Sequence, residues 1–360
     1  MEKFSCKTTI YSGAGAVKAL GELGAKRLFL VTDPFFMKNG WAQKVAAAVN
    51  AGETEIFDKV QPDPTVALAA EGTARLKTFG PDLLVALGGG SAMDCAKAMA
   101  YFAKGSFRVA AIPTTSGSGS EVTDFAILTH DKVKHPLVDP SLRPDIAILD
   151  SDLLQELPRG LIADSGFDVL SHALEAYVAK GAGTISDLYA REAFRSAYAA
   201  LPASFAGRKE VRLKVHMAAT LAGMAFTEAG LGLCHAMSHS LGGMFHVPHG
   251  RLNAILMPAV LSCNSHAAGK KYAELARAAG MGGSADTIAI RNLKNGLVRL
   301  RKELGLPETL AQAGVDPRAV WGNVGSSVKA VLGDPCCASN PVAVDDFLVR
   351  RILEEVTGRG

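Results

Sequence analysis

Four of the chain's nine histidines, His235, His239, His246 and His249, fall within residues 230–250. The stretch is almost uncharged and crowded with Gly, Leu and Met. Imidazoles buried in such surroundings need partners. A single one is ordinarily satisfied by the protein itself, but several close together can share a divalent metal ion, for which neutral imidazole is the commonest protein ligand. His235 and His239 are four apart and share one face of a helix. His249, between Pro248 and Gly250, reads as a turn. A ligand on a helix and another on the turn after it make half of a metal site. The other half is offered by residues 162–177. There Asp168 and His172, again four apart, project from one helix face among Phe167, Val169, Leu170, Ala173 and Leu174. Glu175 is either an alternative ligand or an outer partner one turn from His172. The set Asp168, His172, His235 and His249 suits iron(II), zinc or another borderline divalent ion, with room left for an exogenous oxygen.

A second kind of chemistry is written in two loops. Gly88-Gly89-Gly90-Ser91 follows a strand-like run and opens a helix, so backbone N–H groups and the helix N-terminus can receive a phosphate. The spacing is not the G-x-G-x-x-G fingerprint, because its third glycine would fall on Met93, and Ser91 with Asp94 also fits a capping box. The second loop, from Pro113-Thr114-Thr115-Ser116 through Gly117-Ser118-Gly119 to Ser120-Glu121, carries hydroxyls and glycines suited to phosphate or ribose. Two such loops at neighbouring strand ends favour a dinucleotide. Asp33 closes the run 27–32, where a carboxylate bonds ribose hydroxyls and repels a 2′-phosphate, which favours NAD over NADP. Asp33-Pro34 is equally a turn signal.

The elements that must position these groups differ between the two halves. Over residues 8–150 short apolar runs alternate with helical ones: strands at 6–11, 27–32, 54–60, 83–87, 109–112, 125–129, 135–138 and 146–149, helices at 39–50, 64–79 and 91–103. Repeated β-α units predict a parallel, doubly wound sheet with ligands at the carboxyl ends of its strands. Beyond residue 157 Ala, Leu, Glu and Arg recur at helical spacing, as in 163–178, 187–200 and 211–226, and strand signals fade. The expected division is an α/β domain over 1–155 and an all-helical domain over 156–360.

Composition narrows the function further. The chain has 360 residues, 48% hydrophobic and 20% charged, with a formal net charge of +3. No basic run interleaved with aromatics speaks for nucleic acid. No apolar segment has the length of a membrane span, and MEKFSCKTTIYSG lacks a secretory pattern. The six cysteines form no Cys-x-x-Cys pair, as in a reducing cytoplasm.

Taken together, Gly88-Gly-Gly-Ser-x-x-Asp94, the run Pro113 to Thr123, Gly166-x-Asp168-x-Leu-x-His172-Ala-Leu-Glu175 and Gly232-x-x-His235-x-Met-x-His239 with Pro248-His249-Gly250 resemble the iron-dependent (group III) alcohol dehydrogenases. The match runs in order over nearly the whole chain. Lys7-Thr-x-Ile-Tyr-Ser-Gly13 and Thr220-Leu-Ala-Gly-Met-Ala-Phe226 are similar to the branch of the family comprising the 1-propanol dehydrogenases of 1,2-propanediol-degrading bacteria. The resemblance implies a Rossmann-like N-terminal domain and a helical C-terminal domain, a fold shared with dehydroquinate synthase. It implies iron(II), or zinc in its place, on Asp168, His172, His235 and His249, with His239 near the nicotinamide as the catalytic histidine. NAD contacts carry over onto Asp33, Gly89, Gly90, Ser91, Thr115, Ser118 and Lys134, and the same two loops add Asp94 and Thr114. Cys336 and Asn340-Pro341 match a segment on the substrate side. Ser118 stands where Thr is commoner, and Phe125 where some relatives are polar. The implied reaction is reversible oxidation of a short primary alcohol such as 1-propanol to its aldehyde, the alternative within the family being a reductase of the lactaldehyde, butanol or 1,3-propanediol type. The implied protein is a cytoplasmic homodimer, with a bacterial microcompartment as a further location.

Two other readings compete. A metal-dependent lyase of the dehydroquinate-synthase type would act on acidic, phosphorylated substrates and needs several cations near the metal donors. None lies around Asp168 and His172, and Arg251 is the nearest to the second pair. A scaffold role without chemistry is disfavoured by the intact donor set.

Overall fold

The computed structural model describes residues 2–131 and 133–358. Its contacts divide the chain into two units, Ser5–Leu157 and Pro158–Gly360, the latter also taking in the first few residues.

The first unit runs β1 (Thr9–Gly13), β2 (Arg27–Val31), α1 (Pro34–Lys38), α2 (Trp41–Val49), β3 (Glu53–Phe57), α3 (Val66–Phe79), β4 (Leu83–Gly88), α4 (Gly90–Ala103), β5 (Arg108–Pro113), β6 (Phe125–His130), β7 (Val133–Val138) and β8 (Ile146–Asp150). Six strands pair in the order β1-β8-β5-β4-β2-β3, every pair parallel. β6 and β7 form a separate antiparallel ribbon. The alternation along each strand builds two cores. Leu28, Leu30, Leu83, Val85 and Leu87 pack against Val45 and Val49 of α2, whereas Phe29, Val31, Leu84 and Ala86 pack against Leu76 of α3 and Met93 and Met99 of α4. Burying each such side chain contributes about 1.5–3 kcal/mol, which is why β4, covered on both faces, reads as an unbroken apolar run. With helices changing face between β2 and β4, the carboxyl ends of these two strands form the switch point where doubly wound sheets bind ligands. The Thr32 hydroxyl ties the two ends together by donating to the Leu87 carbonyl at 2.8 Å.

Three local expectations shift. The strand expected at 6–11 lies at Thr9–Gly13, in register with Ile146–Asp150. The helix expected over 39–50 is α2, begun where the Asn39 side chain accepts from Trp41 N–H at 3.1 Å, and an additional short helix, α1, capped by Asp33, precedes it. The capping box of Ser91 and Asp94 does not form. Gly89 is the N-cap of α4, no side chain caps it, and Ser91 already lies inside the helix.

The second unit is helical: α5 (Arg159–Val178), α6 (Thr184–Phe205), α7 (Arg212–Ala229), α8 (Leu233–Phe245), α9 (His249–Ala278), α10 (Asp286–Glu303), α11 (Pro317–Gly322), α12 (Val324–Leu332), α13 (Cys336–Ser339) and α14 (Asp346–Thr357). No strand occurs beyond Asp150 among the described residues. α5 lies at its centre, packed by α6, α7 and α9 and buried throughout Gly166 to Val178. A helix apolar all round belongs in a core, and polar residues on it must be satisfied there. His249 is not on a turn: it is the first residue of the thirty-residue α9, with Pro248 as N-cap. Proline's fixed φ favours a helix start. Gly250 supports that start by closeness, since a Cβ on it would stand 1.9 Å from the Asp164 carbonyl oxygen of α5. All six cysteines are free, and among the described residues no single helix is long and apolar enough to cross a membrane.

Candidate active site

α5 supplies Asp168 and His172, α8 supplies His235, and α9 opens with His249. One donor atom from each lies within 4.8 Å of all the others. The Asp168 Oδ1 is 3.9 Å from His172 Nε2, 3.7 Å from His235 Nε2 and 3.5 Å from His249 Nε2. Asp168, His172 and His235 are buried, and His249 keeps about a third of its side chain (35%) exposed, so the cluster is reachable from one side. His172 stacks on Phe226 and on His235, both at 4.5 Å between centroids. An ion bound by nitrogen and oxygen donors at roughly 2.0–2.2 Å fits among four groups so disposed, and the donor set suits iron(II) or zinc.

Two side chains outside the quartet hold it in place. Glu175 accepts from His235 Nδ1–H at 2.6 Å and from the backbone N–H groups of Gly232 and Cys234 at 2.9 and 2.7 Å. It is thus the outer partner of His235, not of His172, and leaves Nε2 turned to the cluster. Its carboxylate also sits at the N-terminus of α8, where negative charge is favoured. Asn253, one turn beyond His249 and fully buried, donates from Nδ2 to Asp168 Oδ1 at 2.8 Å and lies 3.3 Å from both His235 Nε2 and His249 Nε2. Its own carbonyl accepts from Ser238 Oγ and from Cys234 Sγ. Asn253 belongs to no motif in the sequence; its only signal is an amide four residues after a candidate ligand in an apolar helix.

The electrostatics follow from this crowding. Burial alone would raise the Asp168 carboxyl, but His172, His249 and His235 outweigh it and hold Asp168 well below the usual carboxylate range. Burial and the neighbouring imidazoles keep His249 far below the ordinary histidine value, in spite of Asp168. For His235 burial works downward, yet Asp168 and Glu175 bring the ring up to about 9.

The remaining two histidines part company. His239 stacks on His249 with centroids 5.3 Å apart, and its Nδ1–H donates to Asp334 Oδ2 at 2.8 Å. Asp334 lies below the usual range: burial opposes this, but His239 and Cys336 outweigh it. His246 ends α8 in the left-handed region, exposed and outside the cluster.

In the other unit the two glycine-bearing loops touch. A Cβ on Gly89 would meet Thr115 Oγ1 at 3.4 Å, and one on Gly90 would meet Ser118 at 3.3 Å. Gly88 adopts φ +153°, and a Cβ there would lie 2.6 Å from that of Ala92 and 3.7 Å from Asp33 Oδ2. Asp33, Gly89, Gly90, Ser91, Thr115 and Ser118 are therefore gathered at the switch point. Asp33 Oδ1 caps α1 through Phe35 and Phe36 N–H. Thr114 is buried, its N–H bonded to the Gly88 carbonyl at 3.0 Å. Asp94, counted above with the cofactor candidates, is instead spent on the protein. Its oxygens accept from Ser120 Oγ at 2.7 Å and Ile127 N–H at 3.1 Å. Lys134 is on the β6–β7 ribbon, paired with Asp63 at 2.6 Å. Lys97, not anticipated, is wholly buried and donates to Ser120 O and to Thr123 Oγ1 at 2.9 and 3.0 Å, which fixes the second loop. A lysine within Ala-Met-Asp-Cys-Ala-Lys-Ala-Met was its trace in the sequence.

Residues 7–151 match the family model for iron-containing alcohol dehydrogenases, and residues 162–357 match the model for the C-terminal part of the same family. The chain belongs to the iron-containing alcohol dehydrogenase family. It is 38% identical to 1-propanol dehydrogenase PduQ of Citrobacter freundii over 99% of this chain and 100% of that one. It is 36% identical to an NADPH-dependent butanol dehydrogenase of Clostridium saccharobutylicum over 98% and 97%. Among solved structures, an iron-containing alcohol dehydrogenase from Thermococcus thioreducens superposes with a TM-score of 0.91 at 33% identity, covering 98% of each chain.

Proposed function

We propose that this alcohol dehydrogenase is metal-dependent, uses NAD(H), and interconverts short primary alcohols, 1-propanol among them, with their aldehydes. The observation that carries the reading is the convergence of Asp168, His172, His235 and His249 on one point. Bound there, iron(II) or zinc would supply Lewis acidity toward a substrate oxygen, and a nicotinamide dinucleotide would supply hydride chemistry. The chain's own groups do the rest. Glu175 and Asn253 hold the donors in orientation. The Phe226 ring against His172 gives that side of the site an apolar wall, suited to a short aliphatic chain. His239, with Nδ1–H committed to Asp334 and 38% of its side chain exposed, offers Nε2 to carry the alcohol proton to solvent.

Asp33 at the switch point supports NAD, although the Clostridium relative is NADPH-dependent by name. The 1-propanol reading is supported by the full-length likeness to the Citrobacter enzyme. The lyase reading loses its nearest cation, because Arg251 is engaged with Asp164 at 3.0–3.1 Å. The proposal includes a homodimer working in the cytoplasm. Anaerobic purification, metal analysis and assays with NAD(H) and NADP(H) over C2–C4 alcohols and aldehydes test it. Turnover of propanal and NADH in proportion to bound iron or zinc is expected. Inactivity of fully loaded protein on the whole panel overturns it.

A further inference from the structure

Beside the quartet, the helical unit holds a second set of metal-binding groups. His239, Asp334 and Cys336 each offer a donor atom within 4.8 Å of the others. Their positions are fixed from both sides. Asp334 accepts His239 Nδ1–H at 2.8 Å through one oxygen and the Cys336 backbone N–H at 2.8 Å through the other. The segment that carries them is tied to the start of α8, which bears His239: Ser339 Oγ donates to the Leu231 carbonyl at 2.7 Å, and Leu233 N–H to Asn340 Oδ1 at 3.1 Å. The adjacent Cys337 is turned away, its Sγ donating to the Val331 carbonyl at 3.0 Å. One free thiol, one imidazole and one carboxylate held together match the donor preference of thiophilic divalent ions such as zinc and cadmium.

We propose that His239, Asp334 and Cys336 form a second, inhibitory binding site for a thiophilic divalent cation, separate from the Asp168 quartet. Binding replaces the Cys336 S–H proton, which goes to solvent, by a metal–sulfur bond, and His239 shifts its proton from Nδ1 to Nε2 as Nδ1 becomes a ligand. No electron is transferred. Three protein donors leave the fourth position to water. Inhibition rests on the proton-carrying role proposed above for His239, whose ring, lying against His249, the ion would immobilise. The binding itself is independent of the function proposed above.

The test is titration of cadmium(II), under reducing conditions, into protein already loaded with iron or zinc. The expected result is a thiolate-to-cadmium charge-transfer band that saturates at one equivalent, with the first ion retained by metal analysis. Cys336→Ser removes the band, Cys337→Ser leaves it, and Asp334→Asn weakens binding by about tenfold or more. A second reading needs no variant: cadmium protects Cys336, mapped by peptide mass, from alkylation by iodoacetamide. The proposal is overturned by a band that survives Cys336→Ser, by its loss in Cys337→Ser, by absence of band and protection, or by release of the first ion in step with cadmium uptake.

Discussion

His249 is the quartet member with most access to solvent, and burial with the neighbouring imidazoles holds its ring below the ordinary histidine value. Replacing it removes a donor without disturbing the sheet unit. His249→Ala is expected to lose bound metal and turnover together while dinucleotide binding, followed by NADH fluorescence, stays as it was; unaltered activity would refute its assignment. Asn253 acts one step further out. Asn253→Leu removes the donor to Asp168 and strands the Ser238 hydroxyl, so metal affinity should drop by about 10–100-fold, read by competition with a chelator. His235 gives this centre its pH dependence. Its proton, retained up to about 9 by Asp168 and Glu175 against burial, must leave before Nε2 can bind an ion. The sign follows: apparent affinity rises by about tenfold per pH unit below that value and levels off above it. A flat profile between pH 6 and 9 would remove His235 from the donor set.

At the scale of elements, the loop after β5 depends on two groups of α4, the buried Lys97 and the half-buried Asp94. Lys97 and Asp94 between them bind Ser120, Thr123 and Ile127. Burial lowers Lys97 to about 8 although Asp94 stands beside it. Lys97→Met keeps the length of the side chain and drops all its bonds. It is expected to raise the KM for NAD at least several-fold while metal content is unchanged, and equal KM values would show that the loop holds itself. Asp33 joins a helix cap to the switch point. Glycine is tolerated at an N-cap for a few tenths of a kcal/mol, so Asp33→Gly isolates the charge. That variant should admit NADP, and an unchanged preference in paired kinetics would place the discrimination elsewhere.

For the molecule as a whole, an ion bound only by the native chain stabilises it by RT ln(1 + [L]/Kd), about 4 kcal/mol at roughly a thousand times Kd. Chelation should therefore lower the melting temperature in calorimetry, and no shift would mean that the four donors do not hold an ion. Much of this molecule was readable beforehand, for identifiable reasons. Asp168 and His172 showed themselves because a polar pair at helical spacing lay among residues that only a core would take. The sheet showed itself because strands covered on both faces are uniformly apolar. Other parts were hidden because distant contacts choose them. The start of α9 at His249 depends on its approach to α5. Asp94 accepts from Ser120 and Ile127, 26 and 33 residues further on. Locally Asn253 is marked only by standing one turn after His249, and Asp334 by nothing; Asp168 and His239, which they bond, lie 85 and 95 residues away.

The nearness of Gly250 to the Asp164 carbonyl also sets a length scale. Two helix backbones meet there with no room for even a methyl group, four residues before one donor and one residue after another. The gap between α5 and α9 is thereby a fixed spacer for the span from Asp168 to His249. Any side chain at 250 would act as a wedge, prising the carboxylate from the imidazole at the point where an ion must touch both.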